Sequence, residues 1–249
     1  PATVAQLTKF HDSRYVEALQ YADSTGRVDP KVRERYGIGT LENPLFDGLF
    51  ERAATTVAGS VLAAQLALEG HVTFHPSGGT HHGRRDRASG FCYFNDPVFA
   101  IRTLLENDCE RVLYVDLDAH HGDGVYYGFV DDPDVLFADI HEDGRFLYPG
   151  SGAASERGVG EAEGTKLNLP MPPGADDRLF FRAWDQAESF VYTPLPEFIV
   201  QQCGAERIAV AFWALAGFSF VAMAIPPVRD VLDAFDEWFY DLTYPIKWG

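Results

Sequence analysis

Between Tyr114 and Gly124 an apolar, strand-forming run gives way to alternating Asp and His and closes on glycines: Tyr114-Val115-Asp116-Leu117-Asp118-Ala119-His120-His121-Gly122-Asp123-Gly124. In an extended chain alternate side chains share a face, so Asp116, Asp118 and His120 are expected to project together, about 7 Å from one to the next. Two carboxylates and an imidazole suit a divalent cation that accepts both oxygen and nitrogen, Zn²⁺ first and Fe²⁺ or Mn²⁺ after it. A polar strand end whose carboxylates cap the next helix is the other reading. A second cluster upstream, Gly78-Gly79-Thr80-His81-His82-Gly83, favours the metal.

The rest of the chain constrains where such clusters can meet. Apolar periodicity predicts a broken helical stripe over Val4 to Ala22 that ends near Ser24-Thr25-Gly26, and an alanine-rich helix over Leu49 to Leu68. Short strands follow at Val72 to Phe74, Arg111 to Asp116, Val135 to Ile140, Leu167 to Leu169 and Phe198 to Gln202. A helix is expected after Asn95, with Asp96 as its cap and Pro97 at its first position, running to about Asn107; another spans Asp176 to Phe190, capped by Asp176 or Asp177. Glu142 to Gly164 has no apolar period and reads as a long loop, of the kind that usually carries function. Strand and helix alternate, the pattern of an α/β fold of three layers: one mostly parallel sheet with helices on both faces. Ligands of such sheets sit at the carboxyl ends of the strands, where the His81, Asp118, His141 and Glu206 segments converge. All 249 residues are expected to form a single domain.

Composition excludes some partners. A net charge of −17, with four lysines among the twenty basic residues, makes direct nucleic-acid binding unfavourable. Such a surface either attracts cationic peptides and polyamines or records a salty cytoplasm. Three cysteines without a CxxC pair, and a first segment without the pattern of a signal peptide, point to a reducing, cytoplasmic setting.

Four motifs together, Gly78-Gly79-Thr80-His81-His82, Ala88-Ser89-Gly90-Phe91-Cys92-Tyr93-Phe94-Asn95-Asp96, the Tyr114 to Gly124 run and Tyr148-Pro149-Gly150-Ser151-Gly152, resemble the metal-dependent histone deacetylase superfamily, in particular its acetoin-utilisation-type and class I-like members. The likeness runs from about Thr3 to Glu206. It implies an arginase-like fold, a catalytic Zn²⁺ (Fe²⁺ as the alternative) and hydrolysis of acetylated lysine or acetylated polyamine. By position, Asp118 and His120 resemble two of the family's three metal ligands. Glu206 stands where the third is ordinarily aspartate, and one extra methylene implies weakened affinity or altered geometry. His82 resembles the general base on the attacking water, His81 its partner, with Asp116 orienting His81 and Asp123 orienting His82. Phe91, Gly90 and Tyr148 match the walls of the substrate channel, Tyr148 replacing the usual phenylalanine. Glu42 falls where relatives hold the substrate backbone. Asp139 falls near a structural K⁺ site where relatives carry serine.

After Glu206 the pattern stops. No glycine run ending in an oxyanion-binding tyrosine appears, a loss worth roughly 2.7–4 kcal/mol of transition-state stabilisation unless Tyr240 or Tyr244 substitutes. An impaired relative that binds metal or acyl-lysine without hydrolysis is therefore the alternative reading. The apolar stretch Ile208 to Val228 is long enough for a membrane span. The preferred expectation is instead a buried helix over Ala209 to Ala216, then a core strand over Phe218 to Ile225, with no membrane association. Asp230 to Gly249 carries an expected helix over Val231 to Tyr240 and no functional reading.

Overall fold

The computed structural model describes residues 1–107 and 109–190 with their side chains, and residues 191–192, 208–214 and 221–224 as backbone. Helices are α1 (Val4–Leu7), α2 (Ser13–Thr25), α3 (Pro30–Tyr36), α4 (Leu49–Leu68), α5 (Asp96–Leu105), α6 (Asp123–Gly128) and α7 (Asp177–Tyr192). Strands are β1 (Thr73–His75), β2 (Arg111–Leu117), β3 (Val135–Glu142), β4 (Lys166–Met171), β5 (Ile208–Ala214) and β6 (Val221–Ala224). They form one sheet in the order β1-β6-β5-β2-β3-β4. β5, β2, β3 and β4 run parallel, and β6 and β1 complete one edge antiparallel.

Alternation along β2 creates the layers. Val112 and Tyr114 face a core shared with α2, α4 and α5, while Leu113, Val115 and Leu117 face a second core closed by Ala183, Trp184 and Ala187 of α7. Helices thus cover both faces, as the alternating pattern required.

Local chemistry sets the helix boundaries. Asp12 caps α2 through Arg14 N, and Gly26 ends it at φ +64°, a conformation glycine reaches without steric cost. Because Asp12 starts a new helix, the expected stripe over Val4 to Ala22 is two helices joined by a turn. The expected cap of α5 is also corrected. Asn95 caps it, accepting from Val98 N at 3.2 Å, and Pro97 occupies the second helical position. Asp96 is drawn elsewhere, to the backbone of the double-histidine loop. Asp176 caps α7 through Leu179 N at 3.1 Å. Two short helices, α3 and α6, were not anticipated, although Asp29-Pro30 is a helix-start signal for the first.

The expected helix over Ala209 to Ala216 is a strand. β5 pairs with β2 over seven residues, from Arg111↔Ile208 to Leu117↔Ala214. A parallel strand buried on both faces reads as a continuous apolar run, so periodicity alone cannot separate it from a buried helix. β6 falls within the expected Phe218 to Ile225 strand. No helix among the described residues is long and apolar enough to cross a membrane. The expected strand at Phe198 to Gln202 and helix at Val231 to Tyr240 lie outside the described residues, as do Glu206, Tyr240 and Tyr244.

Leu104, in α5, is fully buried between that helix and the sheet. Leu104→Ala is expected to lower the unfolding free energy by about 2–5 kcal/mol, read as a shift of the urea midpoint with an unchanged slope.

Candidate active site

β2 ends at Leu117, and the residues after it do not stay extended. Asp118 N donates to Asp116 Oδ1 at 3.1 Å, and His120 N donates to Asp118 Oδ1 at 2.8 Å. Each aspartate folds the chain back two residues on. The expected comb on one face is therefore corrected. Asp116 points inward with no exposure, while Asp118 and His120 turn to the surface of a cavity of about 600 Å³ at the carboxyl edge of the sheet.

The loop after β1 brings in the histidines. Asp96, buried at the start of α5, accepts from Gly79 N at 3.0 Å and Thr80 N at 2.8 Å, and its second oxygen takes the Ser60 hydroxyl. Burial raises the Asp96 pKa, opposed by these hydrogen bonds. The loop so held directs His81 Nδ1 onto Asp116 Oδ2 and His82 Nδ1 onto Asp123 Oδ1, both at 2.7 Å. Arg84 pairs with the other oxygen of Asp123, and the Tyr114 hydroxyl donates to Asp116 Oδ2 at 2.6 Å. His81, His82, Asp116 and Asp123 thus meet as expected.

The two imidazoles are driven apart in charge. Burial pulls His81 down, but the charge and hydrogen bond of Asp116, with Asp118 and Asp139 behind it, lift it to about 9. Burial and the neighbouring charge of His81 lower His82, against the pull of Asp123. Their Nε2 atoms lie 3.1 Å apart. With each Nδ1 on a carboxylate, the added proton resides on His81, and His82 is the neutral member of the pair. Titratable neighbours pushed in opposite directions mark an acid and a base.

Asp118 and His120, the expected metal donors, lie side by side at the cavity wall. Asp118 Oδ1 and His120 Nδ1 face one another at 2.8 Å. Burial would raise Asp118, but its hydrogen bond from His120 and the charge of His81 bring it down to about 2, so it is an anion near neutral pH. The two are bonded to each other, and as donor types an anionic oxygen and an imidazole nitrogen suit a borderline divalent ion such as Zn²⁺ or Fe²⁺. Among the described residues no third His, Cys, Asp or Glu joins them. The His82 ring lies 5.8 Å from that of His120.

The wall residues also converge. Gly90, at φ +53°, passes so close to His82 that a Cβ would lie 2.3 Å from its Cδ2. Glu42 accepts from Gly90 N. Phe91 holds φ +63°, a strained backbone for a side chain of its size, and is 73% exposed at the rim. The Tyr148 ring meets His82 edge-on at 5.1 Å, with its hydroxyl bonded to Ser89. Burial raises the Tyr148 pKa, so the phenol stays neutral. An adjoining concavity of about 820 Å³ is larger, but the double histidine and the Asp118–His120 pair line only the smaller one.

His141 is not at the site surface as expected. It lies within β3, fully buried, its Nδ1 on Asp139 Oδ1 at 2.6 Å. Asp139 Oδ2 accepts from Gly122 N at 2.8 Å, so both oxygens near the expected K⁺ position have protein donors. Asp139 is raised to about 6 by burial, with Asp116 adding to the shift against the pull of His141. His121, also buried, is pushed down to about 3 by burial and by His141. Sequence reading missed Ser89, Arg84 and the loop-holding role of Asp96, because each acts through a partner distant in the chain, and it missed Tyr114, whose partner Asp116 is only two residues on. Only Asp96 carried a signal, an aspartate one residue past a better cap.

The histone deacetylase domain model matches residues 1–210. The chain is 39% identical over 208 residues to the acetoin utilization protein AcuC of Bacillus subtilis, covering 82% of this chain and 54% of that protein. To histone deacetylase 8 of Xenopus laevis it is 34% identical over 211 residues, 84% of this chain and 64% of the other. Among solved structures, a histone deacetylase homolog complexed with SAHA aligns at TM-score 0.74 and 37% identity over 77% of this chain and 52% of its own. A homolog from Aquifex aeolicus aligns at 0.70 and 38%, over 73% and 49%. The chain spans about half the length of these AcuC and structural relatives.

The His81–Asp116 pair gives a pH signature. A folded pKa of about 9, above the ordinary 6.5, adds stability that is fully present below 6.5 and lost as pH rises through about 9. In metal-free protein, the difference in unfolding free energy between wild type and Asp116→Asn is expected to shrink across that window in urea titrations.

Proposed function

The chain belongs to the histone deacetylase family, and from that premise we propose that it is a zinc-dependent deacetylase, hydrolysing the amide of acetylated lysine side chains or acetylated polyamines. The observation that carries the reading is a neutral, carboxylate-oriented His82 whose ring stands 5.8 Å from that of His120, so that one water spans the space between base and donor pair. Asp118 and His120 would hold the ion, with Glu206 as third ligand. When bound there, a divalent ion, Zn²⁺ or Fe²⁺, would supply polarisation of the acetyl carbonyl and a lowered pKa for water.

This chain's own residues do the rest. His82 Nε2 takes the proton of the attacking water, and Asp123, held by Arg84, keeps Nδ1 protonated so that the lone pair stays on the cavity side. His82 then returns that proton to the nitrogen of the departing amine, and His81, kept cationic by Asp116, is the positive neighbour that keeps His82 neutral beforehand. Phe91 and the ring of Tyr148 flank the apolar stem of the substrate, Gly90 lets the backbone approach His82, and Glu42 fixes Gly90. The acidic surface suits a cationic substrate, whether a basic peptide or a polyamine, and disfavours nucleic acid. We read residues 1–249 as one domain, the described part of which shares one sheet between its two cores, and place it in the cytoplasm, where a thiol such as that of Cys92 stays reduced.

Acetate release from an acetyl-lysine peptide and from an N-acetylated polyamine tests this directly. His82→Ala is expected to lower kcat/KM by about 10²–10⁴. Metal-loaded wild type that binds the peptide but turns over no faster than His82→Ala would establish the alternative, a binding relative crippled by glutamate at position 206. Chelation is expected to abolish turnover, and stepwise addition of Zn²⁺ or Fe²⁺ to show which ion restores it. The acid limb of kcat/KM is expected to have its midpoint below 6.5, because His82 is lowered from that value.

A further inference from the structure

Beneath the cavity, the buried Asp139–His141 pair joins two segments that reach the site from different parts of the chain. Asp139 Oδ2 accepts from Gly122 N at 2.8 Å, in the turn between His120 and Asp123. Asp139 Oδ1 meets His141 Nδ1 at 2.6 Å, and His141 Nε2 meets the Gly152 carbonyl oxygen at 3.0 Å. Carboxylate and carbonyl only accept, so both ring nitrogens carry protons, and the imidazolium is neutralised by its carboxylate. Neither residue has any solvent exposure. Gly152 fits because it lacks a side chain: a Cβ would lie 2.4 Å from His141 Nε2 and 2.7 Å from His121 Cγ. A Cβ at Gly122 would lie 2.3 Å from Asp116 Oδ2.

We propose that His141 is a positioning residue of the hydrolytic site, clamping the turn that carries His120 and Asp123 to the loop that carries Tyr148. The inference rests on the hydrolase reading above and deepens it. Its two hydrogen bonds serve different ends. The Asp139 half holds Gly122, next to Asp123, which orients the base His82. The Gly152 half holds the inner side of a loop whose outer side is tied by Glu156, which accepts from Gly152 N at 2.8 Å and Ala153 N at 3.0 Å. Tyr148, four residues before Gly152, is the wall against His82. The first half therefore governs the chemical step and the second governs substrate binding.

Two replacements separate the halves. In His141→Asn the amide nitrogen stands near the place of Nδ1 and keeps the bond to Asp139 while losing Gly152. In His141→Gln the amide nitrogen reaches the place of Nε2 and keeps Gly152 while leaving Asp139 without its donor. His141→Asn is expected to raise KM about tenfold with kcat within about twofold of wild type, and His141→Gln to lower kcat about tenfold with KM little changed. Amide hydrogen exchange on the full-length chain supplies a readout that needs no turnover. His141→Asn is expected to speed exchange in peptides covering 143–158, and His141→Gln in peptides covering 119–124. Loss of kcat and KM in the same proportion in both variants, or exchange that rises equally in both segments, would show a general packing role and overturn the proposal, as would two variants indistinguishable from wild type. Should wild type itself release no acetate, the hydrolase reading fails, and the exchange pattern alone decides whether the clamp exists.

Discussion

Asp116 is a carboxylate with no exposure, and the site is arranged around its need for partners. An ionised carboxylate taken out of water costs several kcal/mol unless hydrogen bonds replace the solvent. Three donors do so here: the Tyr114 hydroxyl, His81 Nδ1 and Asp118 N. The first comes from its own strand, the second draws in the double-histidine loop, and the third turns the chain so that Asp118 faces the cavity. Gly122 passes where no side chain would fit beside the same carboxylate. One buried charge thereby sets the position of the double histidine, of Asp118 and of the turn that follows it.

The charge difference between His81 and His82 follows from depth. Both rings are buried and each has a carboxylate on Nδ1, so composition alone makes them equivalent. His81 lies nearer Asp116, Asp118 and Asp139, and its cation answers three negative charges. His82 then feels His81 as a positive neighbour and stays neutral, which is the state a proton acceptor requires. Asp96 and Arg84 support this from outside the pair, one holding the loop backbone and the other holding Asp123.

How far the sequence could be read depended on how local the determining physics is. The alanine-rich helix has the expected bounds, Leu49 to Leu68, because small residues on one face and a polar opposite face are properties of one segment. β2 and β3 were legible for the same reason, as β-branched runs. The stretch from Ile208 was misread as helix because its identity as a strand comes from β2 lying open beside it. The Asp-His comb was misplaced by a related error. Hydrogen bonds donated by the backbone N–H of Asp118 and His120 to the aspartate two residues earlier override the extended alternation.

From its residues alone the chain established an alternating α/β architecture, a double histidine in a glycine loop and an Asp-x-His donor pair after a core strand, since each is a matter of periodicity and side-chain chemistry within a few neighbouring positions. Tertiary structure alone decided that burial and neighbouring charges push His81 up and His82 down, that His141 lies beneath the cavity instead of in it, and that Asp96 serves the histidine loop. These depend on which charges lie within a few ångströms in a low-dielectric interior, where the strength of an interaction is set by distance through space and not by separation along the chain.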